Sequence, residues 1–197
     1  MYAKSIENLI DKFKRLPGIG QKGAERFVFY LLKNGKKEVV QLGQALDELI
    51  ANIKSCRLCW NFVDSEPCPV CANNQRNKTI LCVLAQASDL PAIESTGEFK
   101  GRYFILRGLL DYDLSNLKFL KIKELLERLE TDKQIQEIIL AFNPNLSGET
   151  TAMYLQKQII GRNLKIKISR LARGLPMNGD LQYADQTTLS SAIKNRS

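Results

Sequence analysis

The sequence predicts a multidomain α+β chain: an N-terminal helical bundle, a four-cysteine knuckle, an α/β domain with a parallel sheet, and a C-terminal strand/helix segment. Three observations carry that prediction. Apolar residues recur at helical spacing through residues 1–55. Two C-x-x-C pairs follow at short separation. From residue 79 onward, β-branched apolar runs alternate with helical ones, the pattern of a parallel sheet covered on both faces. The expected divisions are residues 1–55, 56–72, 78–170 and 171–197.

In the first division, Ile6, Leu9, Ile10 and Phe13 mark a helix over Ser5–Leu16. Pro17 disfavours a helical Leu16, so that helix should stop there. Gly18 and Gly20 supply a tight turn, and Ala24, Phe27, Val28 and Leu31 begin a second helix. A turn feeding a helix start in this way presents N–H groups on one side, a ready phosphate site. Lys22 and Arg26, four apart, project from one face beside it. The same letters fit G-x-G-x-x-G through Gly18, Gly20 and Gly23, but a dinucleotide site needs a preceding strand, and a helix precedes here. A structural helical hairpin with solvated cations is the plainer alternative. Asn34-Gly35 ends the second helix, and a third carries Leu42, Leu46, Leu49, Ile50 and Ile53. Three helices of this size are short for independent stability, so dimerisation or docking would help them.

Cys56-x-x-Cys59 and Cys68-x-x-Cys71 are separated by eight residues. Four thiolates at this spacing close the tetrahedral sphere of one zinc, leaving no position for water or substrate, so the metal should be structural. Disulfides are the alternative, disfavoured in a reducing compartment. Cys82 lies in the apolar run Ile80–Leu84 and reads as a buried strand residue.

In the α/β division, strands are expected at Thr79–Ala85, Arg102–Leu106, Glu137–Phe142 and Leu164–Ser169, and helices at Leu90–Ile93, Ile122–Leu129 and Gly148–Ile160. Ligand chemistry in such sheets sits at the carboxyl ends of strands. Those ends are Ala85-Gln86, Arg107-Gly108 and the loop Asn143–Glu149. The tail has a Pro-Met-Asn-Gly turn and a last helix from about Thr187.

Composition narrows the chemistry. The 197 residues carry net charge +8 and a pI near 9.3, which favours a polyanionic partner without naming it; a solvated basic surface is the plainer alternative. There is no histidine, which excludes histidine bases, triads and histidine metal ligands. No G-x-x-x-x-G-K-[ST] is present, against a P-loop nucleotidase. No apolar run approaches the roughly 20 residues of a membrane span, nor is there a long apolar signal core, so a soluble cytoplasmic protein is expected.

Leu16–Phe27 resembles the helix-hairpin-helix of nucleic-acid-binding proteins. The whole chain resembles the bacterial recombination mediator family RecR, through four elements in order. These are Leu16–Gly20 with Lys22, Ala24 and Arg26; the four cysteines; Thr96-Gly97 through Gly101-Arg102-Tyr103 to Gly108, similar to a Toprim centre; and Ala172-Arg173-Gly174-Leu175-Pro176 with Gly179, Leu181, Asp185 and Thr188-Leu189. The resemblance implies a non-enzymatic, DNA-binding protein with a helix-hairpin-helix, a zinc knuckle and a Toprim domain. It implies a ring-like homotetramer that clamps DNA and acts with RecO, and in many bacteria RecF, to load RecA at single-stranded gaps. It assigns DNA contact to Gly18, Gly20, Lys22 and Arg26, one structural zinc per chain to Cys56, Cys59, Cys68 and Cys71, and partner engagement to Glu149. For Glu149 a solvated helix-start carboxylate is the plainer reading.

The chain departs from the family at Ala85, where glutamate is usual, at Ser147, and over Asp111–Phe119. A catalytic Toprim needs a glutamate and an aspartate pair to hold magnesium, since that ion takes carboxylate oxygens. Ala85, Asn143 and Asn145 stand in those places, so strand cleavage and polymerisation are not expected. The rival readings are a magnesium-dependent nuclease or primase-like Toprim enzyme, and a structural adaptor whose charge is incidental.

Overall fold

Helix starts and stops set the first unit, residues 1–53, which clusters separately from residues 54–197. The computed structural model describes residues 2–172, 174–175 and 178–194. Helix α1 (Lys4–Phe13) buries Ile10 against Ala24 and Val28 of α2 (Gln21–Asn34), with Ile6, Phe13 and Ile19 packed around them. α1 ends three residues before the expected Leu16. The N–H groups of Arg15 and Leu16 reach back only three residues, to Lys12 (3.2 Å) and Phe13 (3.0 Å), so the last turn tightens ahead of Pro17. Gly35, at φ +87°, ends α2 where the Asn-Gly pair indicated. Helix α3 (Lys36–Asn52) forms as expected but buries no residue. Leu46, Leu49 and Ile50 stay 54%, 57% and 77% exposed. A three-helix unit of this size has too little interior to cover that face itself.

The second unit opens with a two-stranded hairpin, β1 (Lys54–Ser55) and β2 (Phe62–Val63), followed by the single-turn α4 (Pro69–Ala72). Next come β3 (Ile80–Leu84), α5 (Leu90–Glu94), β4 (Arg102–Ile105), α6 (Ile122–Thr131), β5 (Glu137–Ala141), α7 (Leu146–Gly161), β6 (Lys167–Arg170) and α8 (Gln186–Lys194). The four longer strands form a parallel sheet in the order β4-β3-β5-β6. Side chains alternate across it, as the two-residue strand period requires. Leu81, Val83, Phe104, Ile138 and Leu140 face α6 and α7 through Leu125, Leu129, Leu155 and Ile159. Cys82, Leu84, Tyr103 and Ile105 face the other way, toward Leu90, Ile93 and Phe99. Cys82 is therefore the buried strand residue that its apolar run indicated.

Most element ends fall within two residues of the sequence reading; besides the end of α1, two departures are larger. β6 starts at Lys167, not Leu164. Asn163 has φ +53° and the Ile166 N–H turns back to Leu164 O at 2.9 Å, so residues 163–166 are spent on the return from α7. Beyond Arg170 the described residues form a 3-10 turn at Leu181–Tyr183 and α8, with no strand among them. Arg173, Pro176 and Met177, part of the C-terminal motif and its turn, lie outside the described residues.

A polar network fixes α5 to the sheet. Both Arg76 terminal nitrogens donate to the Glu94 carboxylate, the first at 2.9 Å, and the same nitrogen donates to Gly101 O at 3.0 Å. The Tyr103 hydroxyl donates to Glu94 Oε1 at 2.5 Å. Arg76 beside Glu94 holds its carboxyl below the usual carboxylate range, against the opposing effect of burial. A depressed folded-state value gives stability that is present above the unfolded carboxylate range and lost as pH falls through the folded value. Glu94→Gln should therefore cost about 2 kcal/mol at neutral pH and flatten the acid limb of stability. Melts across the acid range check this, and an acid limb matching the parent would reject it.

Candidate metal centre and nucleic-acid interface

Leu16-Pro17-Gly18-Ile19 forms a tight turn, closed by the Ile19 N–H donating to Leu16 O at 3.2 Å. Gly18 has φ +77°, open to glycine and strained for other residues. Gly20 is the N-cap of α2, and no side chain caps that helix. Its first backbone N–H groups thus face outward with the helix dipole behind them. Lys22 and Arg26 are both exposed one turn apart. Neither has an acidic partner among the described residues, whereas Glu25 is engaged by Gln21 at 2.7 Å. The turn, the uncapped helix start and two cations are thus brought together within one unit.

The cysteines converge. Their four Sγ atoms all lie within 4.8 Å of one another. Cys59 and Cys68 are 3.5 Å apart at sulfur. A tetrahedral site with metal–sulfur bonds of about 2.3 Å places sulfurs about 3.8 Å apart, so this set fits one zinc-sized ion. The first knuckle closes through the Trp60 N–H to Cys56 O at 2.7 Å, with Trp60 at φ +61°. The second closes through the Cys71 N–H to Cys68 Sγ at 3.3 Å. Burial pushes the Cys56 thiol up, but N–H groups of Cys68, Cys59 and Leu58 outweigh it and bring it down to about 7. The Cys59 thiol is driven up by its hydrogen bond with Cys71 and by burial. Burial and the neighbouring Cys59 push Cys68 up to about 11. Crowded thiols resist ionising together, and a bound cation reverses that penalty.

The knuckle sits on the sheet's outer strand. The Ile105 N–H of β4 donates to Cys59 O at 2.8 Å. Arg107 Nε donates to Trp60 O at 2.8 Å, and Arg107 also reaches Ser55 Oγ at 2.9 Å. Its guanidinium lies 3.6 Å from the Phe62 ring centroid. Arg128 of α6 donates to Leu58 O and, at 3.2 Å, to Tyr103 O. Lys121 Nζ stands 3.9 Å from the Trp60 ring centroid. Sequence reasoning placed Arg107 at a strand end without assigning it to the knuckle, and did not single out Arg128 or Lys121. For Arg128 the available signal was its place on the flank of the Leu125–Leu129 apolar stripe.

At the carboxyl ends of the strands a crevice of about 880 Å³ is lined by Ala141, Asn143, Glu149, Arg170 and Thr188, among others. Asn145 is the N-cap of α7, its Oδ1 accepting from the Gly148 N–H at 2.9 Å. Ala85 is buried, its carbonyl accepting from the Gly108 N–H at 2.8 Å. Glu149 accepts from Arg170 at 2.8 Å. Among the described residues the four cysteines are the one close cluster of metal-ligating side chains, and no acidic trio forms here. Gly148 is required by space: a Cβ there would sit 2.0 Å from the Asn143 carbonyl oxygen. Gly148→Ala should cost about 2–4 kcal/mol by shifting the start of α7. Denaturant melts measure this, and a midpoint unchanged from the parent would show that the loop yields freely.

The comparisons agree with this architecture. Residues 6–50 match the family described as RecR, helix-hairpin-helix; residues 79–172 match the Toprim domain; and residues 174–197 match RecR, C-terminal. The chain is 42% identical to a Recombination protein RecR of Bifidobacterium longum subsp. infantis, over 99% of this chain and 96% of the relative. It is 44% identical to a Recombination protein RecR of Herpetosiphon aurantiacus, over 97% and 93%. With its hairpin turn, its clustered thiols and its Toprim sheet in this order, the chain belongs to the RecR family of recombination proteins.

Proposed function

We propose that this protein is a DNA-binding recombination mediator that performs no bond chemistry. The observation that carries the reading is the Leu16–Gly20 turn opening onto the uncapped α2, with Lys22 and Arg26 exposed beside it. Backbone N–H groups would take a phosphate oxygen and the two cations would neutralise neighbouring phosphates. Such contacts read no base edge, so binding should be insensitive to sequence, to single and double strands alike. Several copies in a ring-like homotetramer would convert weak grips into a clamp through effective concentration. The bare apolar face of α3 supports self-association, since exposed apolar surface of that kind is normally covered by a partner.

A structural zinc, one per chain, held by Cys56, Cys59, Cys68 and Cys71, supports the knuckle. The absence of catalysis is supported by residue chemistry at the strand ends. Asn145 is committed to capping α7, Ala85 offers no ligand, and Glu149 faces a guanidinium where an enzyme would hold magnesium. Glu149 with Arg170 is the proposed engagement point for RecO, possibly with RecF, in promoting RecA loading at gaps. A cytoplasmic location follows from that role, and no helix among the described residues is long and apolar enough to cross a membrane.

Fluorescence anisotropy with labelled single- and double-stranded DNA over a salt series tests the reading. We expect tight binding at low salt that weakens steeply as salt rises. No binding at low salt would leave the structural-adaptor reading. Nicking of supercoiled plasmid with magnesium or manganese, lost in Glu149→Gln, would establish the enzyme reading instead. Co-purification with RecO, lost in Glu149→Ala, checks the partner assignment.

A further inference from the structure

Two half-buried guanidiniums stand against the knuckle with no carboxylate in salt-bridge contact among the described residues. Arg128 makes its hydrogen bonds to the carbonyls of Leu58 and Tyr103 alone, and Arg107 to Trp60 O and Ser55 Oγ. Elsewhere in this unit, arginines of similar burial are ion-paired: Arg76 with Glu94 and Arg102 with Asp132. Cations withdrawn from water are normally offset by an opposite charge. Cys59 acts electrostatically on Arg107, and Cys71, Asp132 and Cys59 act on Arg128; of these the four-thiolate cluster would keep a net charge of about −2 with zinc bound. Arg128 also walls a cleft of about 490 Å³ with Leu58 and Cys71 on the knuckle side and Glu124, Glu127 and Asp132 on the other, none of these carboxylates in ion-pair contact with it.

We infer that Arg107 and Arg128 are charge-compensating residues of the metal centre, clamping the knuckle to the sheet and setting how tightly zinc is held. The inference rests on the zinc reading above. Arg107 supplies a second, independent sign. It has φ +68°, a conformation that favours glycine, and it holds that conformation while its side chain reaches Trp60 O. A residue needed only to turn the chain at the end of β4 would be better as glycine. Electrostatics agree with the placement. Burial pulls both guanidinium groups below their ordinary range, while Cys59 acts upward on Arg107 and Cys71, Asp132 and Cys59 act upward on Arg128. Outer-sphere groups of this kind alter metal affinity about 10- to 100-fold when removed.

The test uses the full zinc-loaded chain. Metal content is measured first, then zinc transfer to excess pyridylazoresorcinol is timed in the parent and in Arg128→Lys, Arg128→Gln and Arg107→Gly. Lys123→Met, an exposed cation on the same helix that does not touch the knuckle, is the control. We expect Arg128→Gln and Arg107→Gly to release zinc about tenfold faster or more. Arg128→Lys, which keeps the charge, and Lys123→Met should stay near the parent rate. Arg107→Gly relaxes the backbone as it removes the clamp, so it remains readable if an Arg128 variant does not fold. A parent with stoichiometric zinc and variants releasing at the parent rate would overturn the clamp alone. Arg128→Lys releasing as fast as Arg128→Gln would overturn the charge role. A parent without zinc would overturn the metal reading, and the clamp with it.

Discussion

Cys59→Ser should reduce the metal content of the purified chain from one ion to near none and lower its melting temperature by about 10 °C. Cys59 is 1% exposed, and its sulfur lies 3.5 Å from that of Cys68. A serine hydroxyl is a poor zinc ligand and leaves three thiolates to crowd without a fourth. The expected loss is large because metal binding in small knuckles is itself folding free energy, about 10–16 kcal/mol in isolated zinc-finger peptides. Here the knuckle is also held by Arg107, Arg128 and the Ile105 N–H, so only part of that energy should appear in the whole-domain transition. About 4 kcal/mol, shared over a chain of this size, corresponds to the stated shift. Metal analysis and calorimetry on the same sample decide it. Parental zinc content in the variant would remove Cys59 from the ligand set.

Lys22→Ala combined with Arg26→Ala should weaken DNA binding roughly 100-fold at low salt and lower the salt slope by about 1 for each phosphate that the chain no longer neutralises. Both side chains are exposed and without acidic partners among the described residues, so their removal costs little folding energy. The weakening should fall equally on unrelated DNA sequences, because backbone contacts carry no base information. Gly18→Val separates charge from geometry. It leaves both cations in place but forces a β-branched residue to φ +77°, so the turn N–H groups should move off line. A reduced affinity with an unchanged salt slope is expected there. If the double variant binds with the parent's affinity and slope, the DNA grip lies elsewhere in the chain.

Most of the architecture was legible because it depends on local pattern. The runs at Ile80–Leu84 and, after Glu137, at 138–141 are apolar on both faces, as buried parallel strands must be, and the strands pair residue for residue. The cysteine pairs announce themselves by spacing, since a knuckle is closed by its own backbone. What could not be read depends on distant partners. Arg107 and Trp60 are 47 positions apart, Arg128 and Leu58 70 apart, and in each case the acceptor is a carbonyl that every residue possesses. Leu164–Ile166 reads as strand by composition, but the left-handed Asn163 spends it on a turn. The third helix shows a further limit: its apolar face was evident, while what covers it is not encoded within the same unit. Asn145 and Glu149 were identified as positions, but their engagement by the Gly148 N–H and Arg170 emerges only from the fold.

By accepting the Ile105 N–H, the Cys59 carbonyl also occupies one donor on an open rim. β4 borders the sheet on that side, and a bare border of backbone donors and acceptors is a template onto which another chain can add a strand. The knuckle backbone therefore occupies part of that border. Chelated or oxidised protein should form β-rich aggregates at concentrations where the metal-loaded protein stays dispersed, with β4 as the seeding segment.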